Sequence, residues 1–348
     1  MSYESQRRLT EGPLLDKTGR LAEAGYATRL CRRYDRGAIR AGKLRVKEWD
    51  YYLVTDGEAA LALTIADNSY MGLDSVSLLW LGENPRERTT SMMRLFPMGK
   101  TGLPATSERG VTQIAAKKYR MKFENDGITR VLTAHLDEFM PGKPLDVSVT
   151  LRDMPRDTMV IATPFAGKPK HFYYNQKINC MRAEGSFTFD GRTHVFSPDR
   201  SAAVLDWGRG VWTYRNTWYW SSLNAYLDGA PFGFNLGYGF GDTSAATENM
   251  LFYRGAAHKL GRVVFEIPRA ANGCEDFMKP WRIHDDDGRL ELIFEPILDR
   301  ASLTDAIVLK SDQHQVFGRF MGRAVLDDGT ELRPQGLVGF AEKVYNCW

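Results

Sequence analysis

Six Asp-Gly dipeptides punctuate this chain, at Asp56-Gly57, Asp126-Gly127, Asp190-Gly191, Asp228-Gly229, Asp287-Gly288 and Asp328-Gly329. Asp-Gly readily takes the positive φ angles of a two-residue hairpin turn, and between alternating apolar runs it is a strong short-range hairpin signal. The flanks alternate as strands should: Tyr51-Tyr52-Leu53-Val54-Thr55 leads into the first turn, and Gly185 to Phe189 and Thr193 to Phe196 surround the third. Helical periodicity is scarce, with short helices expected only near Ser5–Leu9 and Arg86–Leu95. The fold class that follows is all-β, antiparallel, with short turns.

The hairpins recur in order. Trp49-Asp50-Tyr51-Tyr52, Asp56-Gly57 and a strand ending at Trp80 resemble Trp220, Asp228-Gly229 and a strand ending at Tyr253. A second and a third Asp-Gly hairpin then follow in each half. This reads as a duplication into domains 1–198 and 199–348, each a barrel or a sandwich. Repeat lengths well over 50 residues do not suit a solenoid or propeller.

At 348 residues, 43% hydrophobic and 26% charged, the chain has the composition of a globular protein with a sizeable core. A net charge of +3 implies no nucleic-acid partner. No apolar run reaches the ~18 residues of a membrane span, leaving peripheral membrane contact open. The first eight residues have no apolar stretch behind them, so no secretory leader is expected. Four scattered cysteines suit reduced thiols in the cytoplasm, and six histidines without ligand spacing argue against a metal site. No nucleotide-binding loop or other cofactor motif appears, so no cofactor is expected.

Chemistry is most concentrated in Asp206–Trp220, which holds four of the eight tryptophans, two arginines and an acid. Trp218 and Trp220 alternate and therefore share one face of a strand, with Tyr219 on the other. An aromatic wall beside a carboxylate suits a cationic intermediate, with Asp206 as proton donor. Trp207, Arg209, Trp212, Tyr214, Arg215, Trp218 and Trp220 are the candidate substrate contacts in this segment. Asn235, Glu248 and Asn249 extend the candidate set, lining a polar patch inside a barrel or tying a loop. The plainer alternative makes the rings a domain-interface core, with Asp206 capping a turn or pairing with Arg209 or Arg215.

Lys47-Glu48-Trp49-Asp50-Tyr51-Tyr52, Asp206-Trp207-Gly208-Arg209-Gly210, Trp218-Tyr219-Trp220-Ser221-Ser222 and Ala246-Thr247-Glu248-Asn249 resemble the bacterial family catalogued as domain of unknown function 2804. The likeness spans nearly the whole chain. A second, more distant resemblance is to the carotenoid hydratase (hydroxyneurosporene synthase) group, with Asp206-Trp207, Trp218-Tyr219-Trp220 and Asp228-Gly229 in the same order. That resemblance implies two lipocalin-like barrel halves and addition of water to an isoprenoid double bond. The chain departs from the group's D-x-E-W-type pattern, since Gly208-Arg209-Gly210 follows Trp207. The functions in view are thus a hydratase, lyase or isomerase, a binding protein for a lipid or other hydrophobic small molecule, and a carbohydrate-binding or carbohydrate-active protein. A purely structural role is the fourth.

Overall fold

The computed structural model describes residues 5–306 and 309–348, with Ala306 described in its backbone only. All six Asp-Gly dipeptides turn hairpins, and at Asp190-Gly191 and Asp228-Gly229 both residues have positive φ. The other four dipeptides use the positive φ of glycine alone. Apart from two three-residue 3₁₀ turns at Arg36–Ala38 and Lys43–Arg45, the regular elements named in the described residues are strands. The Arg86–Leu95 segment, expected as a short helix, is a strand paired along its whole length with Met71–Trp80. It is an edge strand whose exposed and partly exposed residues alternate without a break only from Thr89 to Leu95, which hides a strand period among polar residues. No α-helix runs over Ser5–Leu9 either: only Ser5 has 3₁₀ geometry, and Arg8 bridges to Tyr26.

Two large antiparallel sheets carry the fold. The first runs, in spatial order, Arg86–Leu95, Met71–Trp80, Ala59–Asp67, Val46–Thr55, Ala202–Val211, Lys168–Phe189, Lys143–Arg152, Arg130–Met140, Tyr119–Asn125 and Gly110–Ala116. The second runs Ala256–Lys259, Met250–Tyr253, Ala230–Tyr238, Arg215–Leu227, Gln335–Cys347, Leu309–Val325, Leu290–Ala306, Trp281–Asp285 and Val263–Glu266. In both sheets a four-strand meander comes first, a second meander follows, and the last long strand pairs with the first. Each sheet curls on itself into a lipocalin-like half-barrel around its own apolar core. The first and third Asp-Gly hairpins occupy matching places in the two strand orders. The middle pair does not, for Asp287-Gly288 falls one strand further along than Asp126-Gly127.

The change of sheet lies at residues 212–214, not at 198/199. Ala202–Val211 closes the first sheet against Val46–Thr55, so Asp206, Trp207 and Arg209 belong to the first half. Strand alternation then divides its residues. Ala203, Leu205, Trp207 and Val211 enter the first core, while Val204 faces the other half-barrel.

The halves meet through their outer faces. One apolar cluster between them contains Met159, Ile161, Tyr173, Trp212, Phe240 and Phe252, and another contains Tyr51, Leu53, Val204, Trp220, Phe317 and Phe340. Burying each such side chain contributes about 1.5–3 kcal/mol, which is enough in sum to keep the half-barrels docked. The N-terminal segment crosses the seam: the Gln6 amide donates to the Leu260 carbonyl (2.8 Å) and its oxygen accepts from the Thr247 amide (2.7 Å).

Candidate functional site

A cavity of about 600 Å³ lies between the two sheets, within the size range of small-molecule sites. It is not inside either barrel, contrary to expectation. The strand bearing Trp218 and Trp220 turns both rings away from its own core and toward the first half, while Tyr219 packs against the second core. Each sheet buries one face in its own barrel, so a site that draws on both must form from their outer faces.

Asp206 reaches this cavity together with Trp212, Trp218, Trp220 and Glu248. The Asp206 carboxylate pairs with Lys177 (2.9 Å) and accepts a hydrogen bond from the Asn175 amide (2.6 Å). Neither Arg209 nor Arg215 serves it. Lys177 also stands 3.9 Å from the centre of the Trp220 ring, a desolvated cation–π contact. The Trp220 indole N–H donates to Asn235 (2.7 Å), and the Asn235 amide donates to the Glu248 backbone carbonyl (2.8 Å) and carboxylate (3.2 Å). Asn235 thereby sets both an aromatic wall and an acid without lining the cavity.

A third carboxyl, Glu342, enters from the Gln335–Cys347 strand. It accepts from the Trp218 indole N–H and the Gln315 amide, both at 2.8 Å. Burial raises the pKa of Glu248 and of Glu342 above the ordinary glutamate value. At Glu248 the nearby Lys177 and the Asn235 hydrogen bond oppose the shift, and the Asp206 charge adds to it. At Glu342 the hydrogen bonds from Trp218 and Gln315, and the charges of Lys177 and Arg300, oppose it. Tyr51, also lining the cavity, is pushed up to about 12 by burial.

Aromatic rings form the inner wall. Trp212 meets Trp49, Trp218 and Phe240 edge-on, with centroids 4.7–5.8 Å away, and Trp49 stacks on Tyr173. Two glycines make room for this packing. A Cβ on Gly208 would lie 1.9 Å from the Trp49 ring, and one on Gly237 would lie 2.5 Å from the Glu248 carboxylate. Gly208 thus belongs to the aromatic wall and Gly237 to the acid.

The remaining candidates fall elsewhere. Trp207 is buried in the first core, against Tyr34 and Tyr174. Arg209, expected to contact substrate, is wholly buried there: it pairs with Asp50 (3.1 Å), donates to the Trp49, Gly208 and Pro104 carbonyls, and lies over the Trp207 ring. Tyr214 is exposed in the turn that links the sheets, and Arg215 is exposed at the start of the following strand, opposite Cys347. Asn249 ties its loop, accepting from the Gly237 amide and donating to the Gly261 carbonyl. Strand parity sends Trp207 and Arg209 inward, and short turns carry the others away.

Sequence reasoning did not single out Lys177, Glu342, Tyr173, Phe240, Gln315 or Arg300. Trp49 and Tyr51 carried a usable signal, being apolar alternates beside the first Asp-Gly turn. Lys177 carried none, because one cation in a 22-residue strand announces nothing about its partner.

Two curled antiparallel sheets joined back to back, with a charged, aromatic cavity in the seam, place this protein among the two-half, lipocalin-like β proteins. More narrowly, it belongs to the family described as domain of unknown function 2804, whose model matches residues 5–348. Among solved structures the chain is similar to a Nitrosomonas europaea protein provisionally assigned as AttH, with a TM-score of 0.55 at 12% identity over 95% of this chain and 98% of that one. It also matches kievitone hydratase from Nectria haematococca (TM-score 0.47, 11% identity, 87% and 88% covered) and CghA (TM-score 0.44, 10% identity, 97% of each covered). The first likeness concerns the fold. No match was found among curated proteins.

Proposed function

We propose that the seam cavity carries out acid–base addition or elimination at a carbon–carbon double bond, the reaction class of a hydratase, lyase or isomerase. The observation that carries this reading is the meeting of three carboxyls and one lysine on a wall of tryptophans. Glu248 is the acid. Burial favours its protonated form, Gly237 lets its carboxyl lie close to the sheet, and one side-chain donor, Asn235, reaches it at 3.2 Å. Asp206 is better suited to another role than the proton donation expected of it. Its pairing with Lys177 and Asn175 makes it a fixed countercharge.

In the forward direction Glu248 gives its proton to one alkene carbon, and the adjacent carbon becomes cationic. The ring face of Trp218 stabilises that charge, while Asp206 balances the Lys177 cation that lies over Trp220. Water then bonds to the cationic carbon and gives a proton to the Glu248 carboxylate, which restores the acid. The reverse sequence eliminates water, and loss of a neighbouring C–H proton in place of hydration isomerises the double bond.

The test uses a panel of unsaturated compounds in water enriched in ¹⁸O, read by mass spectrometry for the labelled adduct. Glu248→Gln keeps the shape of the side chain and removes the proton, so turnover should fall by roughly 10²–10⁴-fold with little change in melting temperature. Because the reaction needs protonated Glu248, the rate should decline as pH rises through its elevated titration point. A variant that keeps its rate removes Glu248 from the acid role, and a panel without labelled adduct or isomer removes the reaction class.

A further inference from the structure

The cavity floor is ordered in rows. Across six neighbouring strands of the first sheet the directly opposed residues are Ser91, Ser75, Thr64, Tyr51, Asp206 and Lys177, and all six line the cavity. Five strand spacings of about 4.8 Å make this a polar row about 24 Å long, measured along the sheet. The adjacent row on the same face reads Met93, Leu73, Ala66 and Trp49. A stripe of hydrogen-bonding groups therefore runs beside an apolar stripe, from the edge strand to the acids.

The facing wall repeats the polar character. Arg300, Gln315, Glu342 and Trp220 are directly opposed across four strands of the second sheet. Nearer the rim come Ser302 with Gln313 and Thr304 with Ser311. The two ends of the groove thus differ in chemistry. The inner end holds indole rings and carboxyls, and the outer end holds hydroxyls, an amide, Glu87 and Lys310 with methionine and leucine alongside.

Hydroxyl groups at the outer end have bonding capacity left. Ser75 and Ser91 share a contact of 3.1 Å, and Ser311 accepts from Gln313 (2.7 Å) while donating to Asn346 (2.6 Å), which leaves it an acceptor position. A hydroxyl offers one donor and two acceptor positions, so each can serve a ligand as well. A bare hydrocarbon filling the outer groove would strip water from these groups and give nothing in return. A sugar ring presents C–H faces and O–H edges, which match an apolar row beside a polar one.

We infer that the substrate is a glycoside of an unsaturated alcohol or phenol, its aglycone inserted against the tryptophans and its sugar held in the Ser/Thr-lined outer groove. This rests on the acid–base reading of the inner end and adds the identity of what fills the outer one.

Isothermal titration calorimetry with matched pairs of unsaturated alcohols and their glucosides tests the assignment by binding, independently of turnover. At least one glucoside should bind about 10-fold or more tightly than its aglycone, as expected where a site is built to hydrogen-bond substrate hydroxyls. Ser75→Ala/Ser91→Ala/Gln313→Ala should abolish that preference and leave aglycone affinity within about 2-fold, the retained affinity also showing that the variant is folded. A panel in which no glucoside outbinds its aglycone overturns the inference, as does a triple variant that weakens both partners equally. Glucosides that bind in the expected pattern but are never turned over would sink the acid–base reading and leave this one standing. Turnover of aglycones without glucoside preference would do the reverse.

Discussion

The two half-barrels share a strand order but not an interior. The first is stitched with charge: Arg209 pairs with Asp50, Glu48 accepts from Tyr34 and pairs with Arg36, and Arg130 donates to the Tyr52 hydroxyl, all within or at the edge of an otherwise apolar core. The second is dominated by rings and aliphatic side chains, with Phe320 against both Phe234 and Phe294 and Trp281 against Phe294. The difference teaches that a charged residue next to a tryptophan in this sequence does not by itself mark a site. Arg209 and Asp50 are as charged as Lys177 and Asp206, yet they hold a barrel together while the latter pair faces a cavity.

The largest effects should come from breaking each interior by its own chemistry. Arg209→Met leaves the Asp50 carboxylate buried without its partner and should cost about 3–5 kcal/mol by urea denaturation. Phe294→Ala opens a hole in the second core and should cost a similar 3–5 kcal/mol or so. Acid separates the two. A buried carboxylate left unpaired takes up a proton more readily than in the unfolded chain, so the Arg209→Met penalty should shrink as pH falls toward about 4. The Phe294→Ala penalty should stay level, and equal pH dependence in both would show that the contrast between the interiors is misplaced.

A smaller effect probes the seam. Gly208→Val places side-chain atoms where the Trp49 ring lies, so it should cost about 1–3 kcal/mol and reduce ligand affinity together. Loss of stability without loss of affinity would separate the Trp49 wall from the cavity's function.

The smallest change expected is a gain. Lys47 is buried beside the seam with one hydrogen bond, to the Asn68 carbonyl (3.3 Å), and sits over the Tyr70 and Trp348 rings. Burial lowers its titration point from 10.5 to about 7. The unfolded chain holds the Lys47 proton more tightly, so stability rises with pH between those two values, and the cost of burying the charge is greatest below about 7. Lys47→Met should therefore stabilise the protein by about 1–2 kcal/mol near pH 6, with the gain fading toward pH 10. A gain that does not vary with pH would mean that packing, not charge, sets the effect.

Much of the fold was legible because its signals are local. Asp-Gly turns act through the φ preferences of two adjacent residues, and Trp218 and Trp220 share a face because strand side chains alternate. Those facts hold wherever the strand ends up. Half of the candidate lining was in view from the sequence, for Asp206, Trp218, Trp220 and Glu248 border one cavity.

The other half depended on distances no local rule spans. Asp206 and Lys177 meet because Ala202–Val211 pairs with Lys168–Phe189 in one particular register, and a shift of one residue would have sent Arg209 toward the seam instead. Glu342 comes to Trp218 from 124 residues away, across a strand pairing set by closure of the second sheet. Above all, alternation says that a strand has two faces and not which one meets water, a barrel core or another sheet. That choice was made when the two half-barrels docked, since only then did their outer faces become the walls of a cavity.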